Sequence, residues 1–221
     1  MEAGRFPPSA APEWLVVSAW PPELDGFRKM QPPKGLSAMA SVALGSIGIG
    51  LVEGATGATR LLAGLRPRAV ILIGTAGLYP TSSDRFAVGT AAVADDIVMV
   101  PRILPGRDAY LPELIPSRER ATAGLAKAIR KLSGLPAAHI ANPLAITASR
   151  RAAAFIARQS GCDLENLEAF ALARAAASLE IPFAVVLGIA NRVGPGAHHE
   201  WKKNGAAAAA KACEAVLAFL R

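Results

Sequence analysis

Glu23, Glu168 and Asn191 are the side chains of this chain best suited to act on a bound small molecule. A carboxylate within hydrogen-bond reach of a water molecule can orient and deprotonate it. A carboxylate can also accept two hydroxyl donors and stabilise positive charge developing nearby. An asparagine is no strong general acid, yet its amide can donate to a ring nitrogen and accept from a protonated one. Each of the three also has an ordinary structural role open to it. Glu23 follows Pro21-Pro22 and could cap the next helix. Glu168 falls in the first turn of a helix, where the dipole favours a negative charge. Asn191 stands between a strand and Gly194, where asparagine commonly forms turns.

Other chemistries fit the sequence less well. The three histidines are His139, His198 and His199, and His198-His199-Glu200 lacks the i, i+4 histidine pair of a helical metal motif. No metal is implied. Ser, His and Asp are present without a GxSxG elbow. The run GSIGIG at 45–50 has the wrong surroundings for a dinucleotide fingerprint, so no cofactor is expected. Cys162 and Cys213 make neither a disulfide scaffold nor a metal site and fit a reduced compartment.

The elements that must position these residues follow from hydrophobic patterning. Trp14–Ala19 reads as a first strand ending in a loop, with Glu23 just past it. Ser41–Ile49 reads as a second strand with a glycine-rich exit through Gly48 and Gly50, and Gly54–Leu65 as a helix. Arg68–Ile73 is an unbroken apolar run, the mark of a strand buried on both faces, leading into a turn at Gly74–Gly77. Further β structure is expected in Val88–Val100 and Ala137–Ile146, and helices in Ser117–Leu132, Ser149–Gln159, Glu168–Leu179 and Glu200–Leu220. Pro182–Leu187 is a last core strand leaving through Gly188–Gly194. Strands alternating with helices predict an α/β fold: three layers, αβα, around a central mixed, twisted sheet. Glu23, Gly74–Gly77 and Asn191 then lie beyond the carboxyl ends of strands, where such sheets hold their ligands.

With 221 residues, the chain is expected to form a loose tail over 1–12 and a single domain over 13–221. The formal charge is +7, from 24 Lys and Arg against 17 Asp and Glu. These cations are scattered as pairs such as Arg66/Arg68 and Arg150/Arg151, with no long basic run and no interleaved aromatics, so nucleic acid is not an expected partner. Residues 1–12 carry prolines where a targeting core would be apolar, and the early apolar segments are too short to span a bilayer. No membrane association is expected, and the cytoplasm is the expected location.

Four stretches, in order, resemble the nucleoside phosphorylase/nucleosidase superfamily. They are WLVVSAWPPEL, SIGIGLVEGATGA (46–58), VILIGTAGLYP (70–80) and NLEAFALARAAASLEIPFAVVLGIANRVG (166–194). The likeness runs from Trp14 onward and is strongest to bacterial nucleosidases that hydrolyse methylthioadenosine, adenosylhomocysteine or futalosine. The ending IANRVG, with Trp201 a few residues on, looks most like the futalosine hydrolase branch. The chain departs from the family where Gly89–Val93 replaces a Gly-Asp strand start. It departs again where Asn166-Leu167-Glu168 stands for Glu-Met-Glu, and in the Pro-rich segment 101–116.

The resemblance implies that Glu23 is the base for water, that Glu168 binds the ribose hydroxyls and that Asn191 handles the departing base. It also places Trp20, Thr75, Ala76, Gly77 and Leu167 around the substrate, with Thr75 able to hydrogen-bond ribose or phosphate. Trp20 and Trp201 could wall or stack on the base. Asparagine at 191 points to a 6-oxopurine. The implied partners are a purine nucleoside, water and a second copy of the chain in a homodimer. Residues 46–58 contain no Arg or Lys to hold phosphate, which favours hydrolysis over phosphorolysis. A methylthioadenosine, adenosylhomocysteine or adenosylhopane nucleosidase, a purine nucleoside phosphorylase and a non-catalytic purine-binding protein remain as alternatives.

Overall fold

The computed structural model describes residues 11–29, 41–101 and 112–221. Two long parallel strands, β3 (Ala69–Leu78) and β8 (Phe183–Arg192), run through its centre. All of β3 except Thr75 is buried, as is Phe183–Ala190 of β8, matching their near-continuous apolar sequences. On one side β3 pairs in parallel with β1 (Trp14–Ser18), and β2 (Val42–Ser46) lies outside β1. On the other side β8 pairs antiparallel with β4 (Ala91–Val100), which carries the short antiparallel β5 (Arg118–Arg120). β6 (Ala137–Pro143) runs parallel to β4, and the two-residue β7 (Leu164–Glu165) joins β6 to the far end of β3. Following the pairings from β3 through β8, β4, β6 and β7 therefore returns to β3, and part of the mixed sheet is a closed ring.

Helices cover the sheet. α2 (Leu51–Leu65) packs against the almost wholly buried α5 (Ala169–Ser178). The long α6 (Ala197–Leu220) lies along β8 and β3, with α3 (Ala123–Ser133) and the short α1 (Asp25–Lys29) beside it. α4 (Arg150–Ser160) closes a smaller apolar cluster that includes Tyr79 and Val193. α6 meets β8 backbone to backbone: a Cβ on Gly188 would stand 1.9 Å from the carbonyl oxygen of Ala208. No described helix is long and apolar enough to cross a membrane.

The α/β class and the layered mixed sheet agree with the sequence reading, and several boundaries move. Gly74–Gly77 is not a turn. It continues β3, with ordinary extended backbone, and β8 runs on past Gly188 beside it. Arg118–Arg120, expected in a helix, is an edge strand whose two arginines bind Asp96 of β4, at 3.0 Å each; the helix starts after Thr122. α2 begins three residues before Gly54 and α6 three before Glu200. β2 stops at Ser46, β4 starts at Ala91 and β6 stops at Pro143. α4 ends at a left-handed Gly161 (φ 67°). The expected tail and the Pro-rich loop fall largely on 1–10 and 102–111, outside the described residues.

Candidate active site

A cavity of about 510 Å³ opens beyond the carboxyl ends of β1, β3 and β8. Trp20, Glu23, Thr75, Ala76, Gly77, Leu167, Glu168 and Asn191 all line it, so four separate stretches of sequence converge on one space.

Glu23 sits in a 3-10 turn, Pro21–Leu24, directly after β1. One carboxylate oxygen, Oε2, accepts from the backbone N–H of Trp20 at 3.2 Å, which is the capping role a glutamate after Pro-Pro would take. The other, Oε1, accepts from the Thr75 hydroxyl at 3.3 Å and faces the cavity. Loss of water around the carboxylate raises its pKa to about 7, with the negative Glu168 adding to the rise and the hydrogen bonds from Trp20 and Thr75 opposing it. A carboxyl group with that pKa can exchange a proton readily near neutral pH.

Glu168 stands at the cap just before α5 rather than in its first turn, and its carboxylate turns away from its own helix. Oε1 accepts from the N–H of Gly50 at 2.8 Å, at the mouth of α2. Gly50 has φ 85°, a conformation costly for other residues, and this turn aims its N–H at the carboxylate. Oε2 accepts from Nδ2 of Asn166 at 3.1 Å. Burial raises the pKa of Glu168, against the pull of these hydrogen bonds. Asn166 is a hub that the sequence reading treated only as a lost carboxylate. Its Oδ1 accepts from the N–H groups of Glu168 (2.9 Å) and Ala169 (2.7 Å), capping α5, while Nδ2 also donates to the carbonyl of Thr75 (3.0 Å). A glutamate there could accept the same two N–H groups but could not donate the other two bonds while ionised.

Thr75 lies between Glu23 and Trp201. Its Oγ1 accepts from the indole N–H of Trp201 at 3.0 Å, so the hydroxyl that the resemblance assigns to ribose or phosphate is engaged within the protein while still lining the cavity. Trp201 in turn stacks on His198 (5.9 Å between centroids, planes 12° apart) and lies 6.1 Å from Trp20, which is 44% exposed. Trp20, His198 and Trp201 form an aromatic wall at the cavity. His198 is exposed and belongs to this wall because α6 begins earlier than its sequence pattern suggests.

Asn191 reaches the cavity through an irregularity in β8. Ile189 pairs with Ala76, and the next pair is Asn191 with Gly77, leaving Ala190 unmatched. Such bulges re-aim side chains beside functional sites. Nδ2 of Asn191 donates to the carbonyl of Arg192 at 3.0 Å. Beyond it, Glu165 is a buried cavity residue that sequence reasoning missed. Its Oε2 accepts from the Tyr79 hydroxyl at 2.7 Å and its Oε1 from the N–H of Thr147 at 2.9 Å, which holds the loop bearing Ile146 against the cavity. Nothing in the local sequence marks it, since the contacts come from 86 and 18 residues away in the chain.

No Lys or Arg lines the cavity among the described residues, and no cluster of His, Cys, Asp or Glu there is suited to hold a metal ion. Cys162 and Cys213 are buried and separate, with burial pushing both thiols up to about 11, so they stay protonated at neutral pH.

No protein of curated function matches the sequence significantly. Solved structures do match the fold. The futalosine hydrolase of Helicobacter pylori aligns with a TM-score of 0.82 at 12% identity, covering 95% of this chain and 97% of its own. The 5′-methylthioadenosine/S-adenosylhomocysteine nucleosidase of the same organism, in complex with butyl-thio-DADMe-Immucillin-A, aligns at 0.81 with 13% identity, covering 96% and 98%. The Streptococcus pneumoniae MTA/SAH nucleosidase in complex with 8-aminoadenine aligns at 0.79 with 20% identity, covering 94% and 98%. At the level of sequence families, the phosphorylase superfamily matches residues 35–221. That match takes in every element from β2 to α6, and the chain is a member of the phosphorylase superfamily.

Proposed function

We propose that this protein is a purine nucleosidase that hydrolyses the N-glycosidic bond of a 5′-modified nucleoside, with futalosine the best-fitting substrate. The observation that carries the reading is Glu23. It is a carboxylate held at both oxygens on the cavity wall, with a pKa near 7, sharing the space with a second carboxylate, Glu168. In this reading Glu23 takes a proton from water as the water oxygen bonds to C1′. Glu168 accepts the sugar hydroxyls and steadies the positive charge of the loosened ring. The base leaves with the electron pair of the C–N bond, and Asn191 hydrogen-bonds it.

Water as the nucleophile fits the charge of the cavity. Three carboxylates, those of Glu23, Glu165 and Glu168, and no described Lys or Arg on the wall would repel a phosphate dianion. An amide at 191 suits a 6-oxopurine, because it can donate to the ring nitrogen and accept from a protonated one without itself supplying a proton. Ile49 and Val52, 61% and 71% exposed at the start of α2 beside the cavity, are apolar surface that a second copy of the chain would cover, so we propose a homodimer, located in the cytoplasm.

Base release from futalosine, methylthioadenosine, adenosylhomocysteine, inosine and adenosine, with and without phosphate, tests the proposal. Hypoxanthine from futalosine without phosphate is expected, and Glu23→Gln should lower kcat by about a thousand-fold or more. Adenine release alone would move the protein to the adenine nucleosidases. Strict phosphate dependence would overturn the role of Glu23.

A further inference from the structure

We infer that Trp201 is a positioning residue for the water-activating carboxylate: its indole N–H fixes the Thr75 hydroxyl as a donor to Glu23. The inference rests on the reading of Glu23 as the base for water. An indole N–H can only donate. At 3.0 Å from it, Thr75 Oγ1 must accept there. The single hydroxyl proton is then left for its other neighbour, Glu23 Oε1, at 3.3 Å. With Glu23 ionised, and so only an acceptor, the chain runs in one direction, from Trp201 through Thr75 to Glu23. With Oε2 held by the N–H of Trp20, the carboxylate is anchored at both ends and its remaining lone pairs are presented to the cavity.

The donor is itself rigidly placed. Trp201 sits in the second turn of α6, and α6 is tied to β8 on both sides of this residue. The carboxylate of Glu200 accepts from the N–H of Arg192 at 2.8 Å, and the amide of Asn204 donates to the carbonyl of Ala190 at 3.0 Å. The strand that supplies Asn191 therefore also locates the residue that orients Glu23. A hydroxyl fixed as donor favours the ionised carboxylate, the form that accepts a proton from water. Other titratable and charged groups also surround Glu23. They are Glu168 before α5, His198 and Cys213 on α6, and the Asp25–Arg28 pair on its own segment.

Trp201→Phe keeps an aromatic ring against His198 and Trp20 and removes the N–H. The pH midpoint of the Glu23 carboxyl, followed by carbon-13 NMR on the substrate-free protein, should rise by about 0.5–1 unit. In turnover, kcat should fall roughly 5–20-fold with KM within about two-fold. Thr75→Val should reproduce the rise from the middle of the chain, and adding Trp201→Phe to it should have little further effect. Thr75→Ser should restore the wild-type midpoint. A folded Trp201→Phe protein with an unmoved Glu23 midpoint overturns the inference. If that variant does not fold, an unmoved midpoint in Thr75→Val overturns it equally. Base release that survives Glu23→Gln would instead sink the reading of the site, a result the NMR titration does not depend on.

Discussion

Glu23 is held in a position that costs the folded protein something at neutral pH. Its pKa is raised from 4.5 to about 7, chiefly by burial. The folded state therefore holds this proton more tightly than the unfolded chain. The stability gained is full below pH 4.5 and is lost as pH rises through about 7. Glu23→Gln should accordingly be more stable than the wild type at pH 8, by roughly 1–3 kcal/mol, with the difference vanishing near pH 4.5. Thermal melts of both proteins across that range check this, and a wild type as stable as the variant at pH 8 would contradict it. The same group should give kcat/KM of the wild type an acidic limb centred near pH 7. At this scale the sequence was informative where a residue belongs to a stretch with a recognisable order. Glu23, Glu168 and Asn191 do, and they share the cavity. It was silent on Glu165 and misleading on Asn166, because the worth of both lies in partners distant in the chain: Thr75, Tyr79 and Thr147.

Between residues and the whole fold, the arrangement depends on how closely α6 lies against β8. Gly188 permits that approach, and Gly57 does the same for α2, where a Cβ would stand 1.9 Å from the carbonyl oxygen of Ile47. Gly188→Ala would force α6 away from the strand. It should destabilise the protein by roughly 3 kcal/mol or more and reduce activity through displacement of Trp201. Denaturant unfolding measures the first effect, and a loss below 1 kcal/mol would show that the helix can shift freely. The apolar runs of β3 and β8 announced both strands, yet each continues well past the glycine at which the sequence reading ended it. The rule that glycine ends a strand failed because Gly74, Gly77 and Gly188 keep extended backbone and serve as places of close approach. The edge strand Arg118–Arg120 was hidden for a different reason. Its polar residues have no apolar periodicity, and it is secured by Asp96 across the ladder.

For the molecule as a whole, composition and element order were enough to indicate a layered α/β protein, and the ring within its sheet was not legible. β7 has two residues and no pattern of its own. Of the many basic residues, Arg85, Arg118, Arg120 and Arg174 are each paired with a carboxylate, two of them with the same Asp96. The proposed dimer predicts sedimentation at twice the chain mass of 22.8 kDa, and Val52→Glu should shift the protein to the monomer by at least ten-fold in dissociation constant. The ring of strands also bears on how the molecule comes into being. β3 and β8 pair at Val70 and Phe183, residues separated by about 110 positions along the chain. During synthesis β3 emerges after its neighbour β1, but its other edge waits for most of the remaining chain before β8 arrives. Neither the cavity nor the relay to Glu23 can exist until β8 and α6 have followed, so catalytic competence is the last property a newly made chain acquires.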